Sequence, residues 1–243
     1  MKLIAAAGGC HVSNYIVGPQ NAFVKKLALS AGLGYLGFTR PTAIKRLFER
    51  AERLVASADG EVVLIIQIGN FETINILADS YALVGRKEAF TSEYTLENTD
   101  LNYDTVFRAN AKFKIKEWLK LAFFKVSSSP ATLAVKIEAV TDELVKELEK
   151  ISSIANIEKV VVLGPLPSLR YSLNHLRRLL DVSFNKRFAD LNVLEKICYV
   201  SAFDIFALNI HGKDLSKYYA DPDHLNAEGH NQVFEKIQQR DLL

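Results

Sequence analysis

The chain has 243 residues, 49% hydrophobic and 24% charged, the composition of an ordinary globular protein and not of a disordered, collagenous or membrane-embedded one. Thirty basic against twenty-eight acidic residues leave a net charge of +2, which argues against an obligate nucleic-acid partner while leaving local patches open. A chain of this length buries roughly 70% of its unfolded surface, so a core forms without cross-links, and the two cysteines, Cys10 and Cys198, are not a disulfide framework.

The first element, Leu3 to Gly9, is a short apolar run ending in two glycines, as in a buried parallel strand that feeds a tight turn. It is too short for a secretory core, and a lipoprotein signal ending at Cys10 fails because only nine residues precede that cysteine. With no apolar run of the 18 or so residues that a spanning helix needs, the chain reads as cytoplasmic. Cys10 to Asn14 sit at the turn or enter a helix, and Gly32, Gly34 and Gly37 punctuate the next stretch. After Pro41, the spacing of Ile44, Leu47, Phe48, Ala51, Leu54 and Val55 predicts an amphipathic helix.

Glu61 to Ile68 is a β-branched run between Asp59-Gly60 and Gly69-Asn70, a fully buried strand. Ile137, Val140, Leu144, Leu148 and Ile151 mark a helix leading into a strand at Lys159 to Leu163, which Gly-Pro-Leu-Pro stops. A helix over Leu173 to Leu191 then precedes a strand at Ile197 to Ser201. Alternating strands and helices imply a three-layer α/β/α domain over 1–243 with about five parallel strands. Residues 71–133 break the rhythm and read as a helical, lid-like insertion. Within them, 88–104 carry five acidic and no basic residues, and 108–125 carry six basic and one acidic. Ile115, Trp118, Leu119, Ala122 and Phe123 fall opposite Lys112, Lys116 and Lys120 on a basic amphipathic helix. One reading packs it on the domain with a solvated lysine face; the other makes it a peripheral surface for acyl chains, an anionic carrier or lipid head groups.

The chemistry-bearing stretch is Asp221-Pro-Asp-His224-Leu-Asn-Ala-Glu-Gly-His230. A carboxylate three residues before a histidine folds back in one turn, accepts the Nδ1 proton and holds the ring in the tautomer of a general base. At the other end of the chain, Cys10 follows a strand and two glycines at a helix start, where backbone N–H groups favour a thiolate. That position is the carboxyl edge of a parallel sheet, where open α/β folds place their sites. Cys198, inside an apolar strand, reads as core. Asn70 closes a strand at the same edge, and its amide can stabilise an oxyanion together with the Cys10 N–H and a glycine from Gly32 to Gly37.

Other constellations are weaker. A zinc site from Cys10, His11, Asp221 and His224 lacks recognised spacing, so no metal is expected. No phosphate loop follows the first strand. Arg177-Arg178 with Lys186-Arg187 reads as a solvated face and not a nucleic-acid footprint, although basic groups near a site mouth can meet a phosphorylated or carboxylated donor. His175 and His211 read as surface residues, and His230 as a buttress of the loop.

The order of these blocks resembles the SGNH (GDSL-like) hydrolase superfamily. DPDHLNAEGH is close to that family's last motif, and the resemblance covers the chain outside 71–133. Gly8-Gly9-Cys10 stands where the family has Gly-Asp-Ser, and Gly69 and Asn70 are adjacent where the family has one residue between them. The resemblance implies Cys10 as nucleophile, His224 as base, Asp221 as orienting carboxylate, and Cys10, Gly37 (or Gly34) and Asn70 as the oxyanion hole. Asn226 is placed as a substrate contact, and His11 as a substrate contact or an aid to thiol ionisation, with a solvent-facing residue at the helix start as the alternative. Cysteine-bearing variants of this fold resemble bacterial enzymes of surface-polysaccharide acylation. That likeness implies esterase or acyltransferase chemistry through a thioester, on an acylated carbohydrate or small-molecule ester. It needs no cofactor beyond an acyl donor such as acyl-CoA as co-substrate. The altered first block also keeps open a non-catalytic binding module on the same scaffold.

Overall fold

A computed structural model describes residues 2–9, 12, 21–39, 43–82, 111–190, 196–206, 215–221 and 223–240. Strands β1 (Leu3–Gly8), β2 (Gly34–Thr39), β3 (Val62–Gln67), β4 (Ile157–Leu163) and β5 (Ile197–Val200) form one parallel sheet in the order β2-β1-β3-β4-β5. The helices are α1 (Phe23–Ser30), α2 (Ile44–Ala56), α3 (Asn70–Ala82), α4 (Ala111–Ser127), α5 (Pro130–Ser152), α6 (Tyr171–Asp190), α7 (Ala202–Ile205) and α8 (Ala227–Gln239). The expected α/β class with five parallel strands is what the chain adopts.

The continuous apolar strands follow from a sheet covered on both faces. Side chains alternate along each strand, so Ile4, Ala6, Val63 and Ile65 meet Phe23, Val24 and Leu27 of α1 and Val233 and Ile237 of α8. Leu3, Ala5, Ala7, Val62, Leu64 and Ile66 meet Ile44, Phe48 and Ala51 of α2, Leu144 and Leu148 of α5, and Leu180 and Phe184 of α6. Each such buried aliphatic contributes on the order of 1.5–3 kcal/mol over exposure. Because α1 and α2 lie on opposite faces, the chain steps from β1 out to β2 and back to β3. This reversal opens a crevice at the carboxyl ends of β1 and β3, the place where such sheets bind ligands.

Three expectations change. The glycine-punctuated stretch, given no element from its spacing, is edge strand β2 (Gly34–Thr39), and Gly37, expected at the oxyanion hole, lies within it level with Ala6 and Ile65 and not at the carboxyl edge beside Asn70. Residues 71–82 are no interruption, because α3 is the regular helix after β3 and packs with α4 against α6 through Leu77, Phe124, Leu173 and Leu176. The amphipathic helix over Ala111–Ser127 forms with its apolar stripe outward, against the reading that packs it on the domain. Glu117 and Phe124 are buried, while Ile115, Trp118 and Leu119 are more than half exposed. Among the described residues no helix is long and apolar enough to cross a membrane.

Candidate active site

The loop carrying Asp221 and His224 is a tight hairpin entered from a 3-10 turn at Leu215–Tyr218. An antiparallel bridge pairs Tyr219 with Leu225, and Ala220 N–H donates to the His224 carbonyl at 2.8 Å. Asp221 is buried inside the turn. Its Oδ1 accepts the backbone N–H of Asp223 at 2.7 Å and of His224 at 2.9 Å, and its Oδ2 lies 2.7 Å from His224 Nδ1. Three acceptor contacts on one carboxylate fix both the turn and the ring. The His224 side chain keeps 22% exposure against 9% for Asp221, so the carboxylate is sheltered and the imidazole is accessible.

The rest of the motif is architectural. Asn226 caps α8: its Oδ1 accepts the Gly229 N–H at 3.0 Å and its Nδ2 donates to the Lys217 carbonyl at 2.7 Å. The amide expected to contact substrate thus holds the helix to the preceding turn. Gly229 is required by close approach, since a Cβ there would stand 2.4 Å from the Tyr218 carbonyl oxygen. His230 buttresses from below: its buried Nδ1 accepts the Phe23 N–H, the first of α1, at 3.3 Å.

Asn70 is the first residue of α3, directly beyond the carboxyl end of β3. Its Oδ1 accepts the Leu166 N–H at 3.1 Å, which orients the amide and makes the NH₂ its opposite, donating end. Gly69 before it has φ +87°, and a Cβ there would meet Pro165 at 2.8 Å. Gly69→Ala is expected to destabilise the fold by about 1–3 kcal/mol from backbone strain alone, with any shift of Pro165 added. Denaturant unfolding measures the loss.

One segment, Leu166 to Arg170 between β4 and α6, ties Asn70 to the histidine loop. Leu166 holds Asn70. The Leu166 carbonyl accepts Arg177 Nη1 at 3.2 Å, and the Pro167 carbonyl accepts the Tyr219 hydroxyl. Ser168 Oγ donates to Asp223 Oδ1 at 2.7 Å, and Arg170 Nε donates to Asp223 Oδ2. Burial by itself would raise the Asp223 carboxyl, but Arg177 and Arg170, with the Ser168 and Arg170 hydrogen bonds, hold it below the usual carboxylate range. Asp223 therefore stays ionised and clamps the loop.

Arg177 corrects the sequence reading of a solvated face. It is 2% exposed and lies 3.6 Å from Asp223 Oδ1. A buried arginine on an otherwise ordinary helix has no local signature, and its signal is the Asp223 partner 46 positions away in the chain, which spacing alone does not connect. Glu72 was also missed. It is buried in the first turn of α3, and burial pushes its carboxyl up to about 7 against the pull of backbone N–H groups, among them those of Ile44 and Gly69. His175, expected at the surface, is half-buried and lines a cavity of about 300 Å³ with Phe124, Leu133 and Leu179. Cys198 is a half-buried residue of β5 against the core. Cys10, His11 and His211 lie outside the described residues. Among the described residues no cluster of His, Cys, Asp and Glu is arranged to hold a metal.

Solved structures with the same architecture are lipolytic and esterase proteins. A lipolytic protein of the G-D-S-L family from Veillonella parvula matches with a TM-score of 0.58 at 13% identity, over 98% of this chain and 97% of that one. The chain shares its fold with these proteins. A lipase from a goat rumen metagenome matches with a TM-score of 0.56 at 13% identity, over 100% of this chain and 98% of that one. An acetylxylan esterase from Geobacillus stearothermophilus, in a catalytic-mutant structure, matches at 0.55 and 13% identity, over 98% and 92%. No protein-family model and no curated protein matches the sequence. The neighbours are thus found through structure, and they agree with the fold that the resemblance of the motifs implies.

Proposed function

We propose that the chain is an acyl esterase or acyltransferase that works through a Cys10-His224-Asp221 triad and a thioester. The observation carrying this reading is the 2.7 Å contact of a sheltered Asp221 with the Nδ1 of an accessible His224, with Asn70 anchored by the segment that clamps the same loop. In the proposed reaction His224 Nε2 takes the Cys10 thiol proton, and the sulfur adds to the carbonyl of a small-molecule or carbohydrate ester. The Asn70 amide, with the Cys10 N–H, stabilises the oxyanion. Collapse expels the alcohol, which takes the proton from His224. Water or a sugar hydroxyl then gives its proton to His224 and attacks the thioester, releasing an acid or a new ester and regenerating the thiol.

Cysteine suits transfer as well as hydrolysis, because a thioester passes its acyl group readily to oxygen nucleophiles. The test is intact-mass measurement after exposure to an activated acyl ester, paired with iodoacetamide labelling across pH. The expected result is one hydroxylamine-labile adduct on Cys10, absent from Cys10→Ala. Alkylation of Cys10 should have a midpoint below the ~8.5 of a free thiol that rises in His224→Ala. An adduct that persists in Cys10→Ala, or a Cys10 that labels as an ordinary thiol, would overturn the triad. The second of these would favour the binding-module reading.

A further inference from the structure

The inverted helix α4 carries the inference. Ile115, Trp118, Leu119, Ala122 and Val126 recur at the spacing of one helical face. Such a stripe normally turns inward. Here Ile115 and Trp118 are 61% exposed, Leu119 56% and Val126 89%. The helix instead packs through Phe124 and Glu117, both 1% exposed, and Glu117 takes the Lys120 ammonium at 2.9 Å. Burying the one carboxylate of the helix while displaying its indole and aliphatic chains is the reverse of what core packing selects.

The charges complete the pattern. Lys112 and Lys116 lie on one flank of the stripe and Lys125 on the other by helical projection, and all three are exposed. With Glu117 turned inward, the outward face of α4 carries positive charge only. An apolar stripe with a tryptophan, bordered on both sides by lysines whose stems extend along it, matches the surface of an anionic bilayer. The indole and aliphatic groups enter the head-group boundary while the ammonium groups meet lipid phosphates. A second copy of the same face would set like charges together, which disfavours self-association.

We propose that α4 is a docking surface for anionic membranes. Its inner side rests on α3 and α6, and the field of Glu117 reaches Arg170 and Tyr171. Arg170 is the residue that clamps Asp223 next to His224. Docking through α4 therefore leaves α4 itself between the lipid surface and the Arg170–Asp223 clamp.

Trp118 is the only tryptophan in the chain, so its emission reports this contact directly. Titrate the full-length protein with vesicles of phosphatidylcholine alone and of phosphatidylcholine with phosphatidylserine, reading Trp118 fluorescence and co-sedimentation. The expected result is a blue shift and pelleting with the anionic vesicles, both reversed by salt. The exposed triple variant Lys112→Glu, Lys116→Glu, Lys125→Glu should bind at least roughly a hundredfold more weakly, from about fivefold per lysine. Leu119→Ser with Val126→Ser should weaken binding while leaving thermal unfolding unchanged. No shift with either vesicle would overturn the proposal. So would equal binding to neutral vesicles, a shift produced by an acidic polypeptide but not by lipid, or concentration-dependent self-association without vesicles.

Discussion

Asp221→Asn is expected to lower turnover of a small acyl ester roughly 10³- to 10⁴-fold with little change in KM, by the logic of a triad whose carboxylate sets the histidine tautomer. The geometry makes the substitution specific. Asn retains an oxygen for the Asp223 and His224 N–H groups that Oδ1 accepts, so the turn survives. Its NH₂ then occupies the place of Oδ2, 2.7 Å from His224 Nδ1, where only a proton acceptor on the ring satisfies it. The proton moves to Nε2, the atom that accepts the Cys10 proton in the proposed triad, and an imidazolium loses its counter-charge. Asp223→Asn makes a useful contrast. It weakens the Arg170 and Arg177 clamp and with it loop order, so its loss should appear in both stability and kcat. Turnover of Asp221→Asn within tenfold of wild type, with unfolding unchanged, would remove Asp221 from the mechanism.

The sequence made the histidine loop legible because its chemistry is local. Asp221 and His224 are three residues apart, and one turn closes their contact. The same stretch concealed a division of labour. Asn226 reads as a substrate contact, yet the structure uses it to cap α8, beside Gly229, which admits the Tyr218 carbonyl, and His230, the expected buttress, which receives the Phe23 N–H. A helix N-cap and a substrate ligand have the same residue types, and only the partner tells them apart.

Long-range partners were the main loss. Arg177 and Asp223, or Asn70 and Leu166, meet because the loop after β4 passes between two others, and no periodicity encodes that meeting. Strand β2 was missed for a different reason. Gly34 and Gly37 weaken the strand signal, while its place at the sheet edge removes the need for a continuous apolar run. In α4 the period is legible, but the spacing leaves both a packed helix and a peripheral apolar surface open. Amphipathic spacing says that two faces differ; which face is buried depends on what each one meets.

The second large effect is acid instability centred on His230. This imidazole is 2% exposed, accepts the Phe23 N–H through Nδ1 and stacks against the Phe23 ring at 5.8 Å. Burial first, then the charges of Lys26 and His224, hold it down at about 3, from an ordinary 6.5. Because the folded-state value is depressed, the unfolded chain binds the proton more readily. Stability is therefore full above pH 6.5 and declines as the pH falls from there towards 3. With each unit worth about 1.4 kcal/mol, the fold should lose about 2 kcal/mol between pH 8 and pH 5 through this residue. Protonation also replaces the Nδ1 acceptor by a donor facing the Phe23 N–H, so α1 should loosen from α8 first. His230→Asn keeps an acceptor near the Nδ1 position without a titrating ring. Urea unfolding of the two proteins across that range should give a shallower pH slope for the variant, whatever its absolute stability. Parallel slopes would show that the acid sensitivity lies elsewhere.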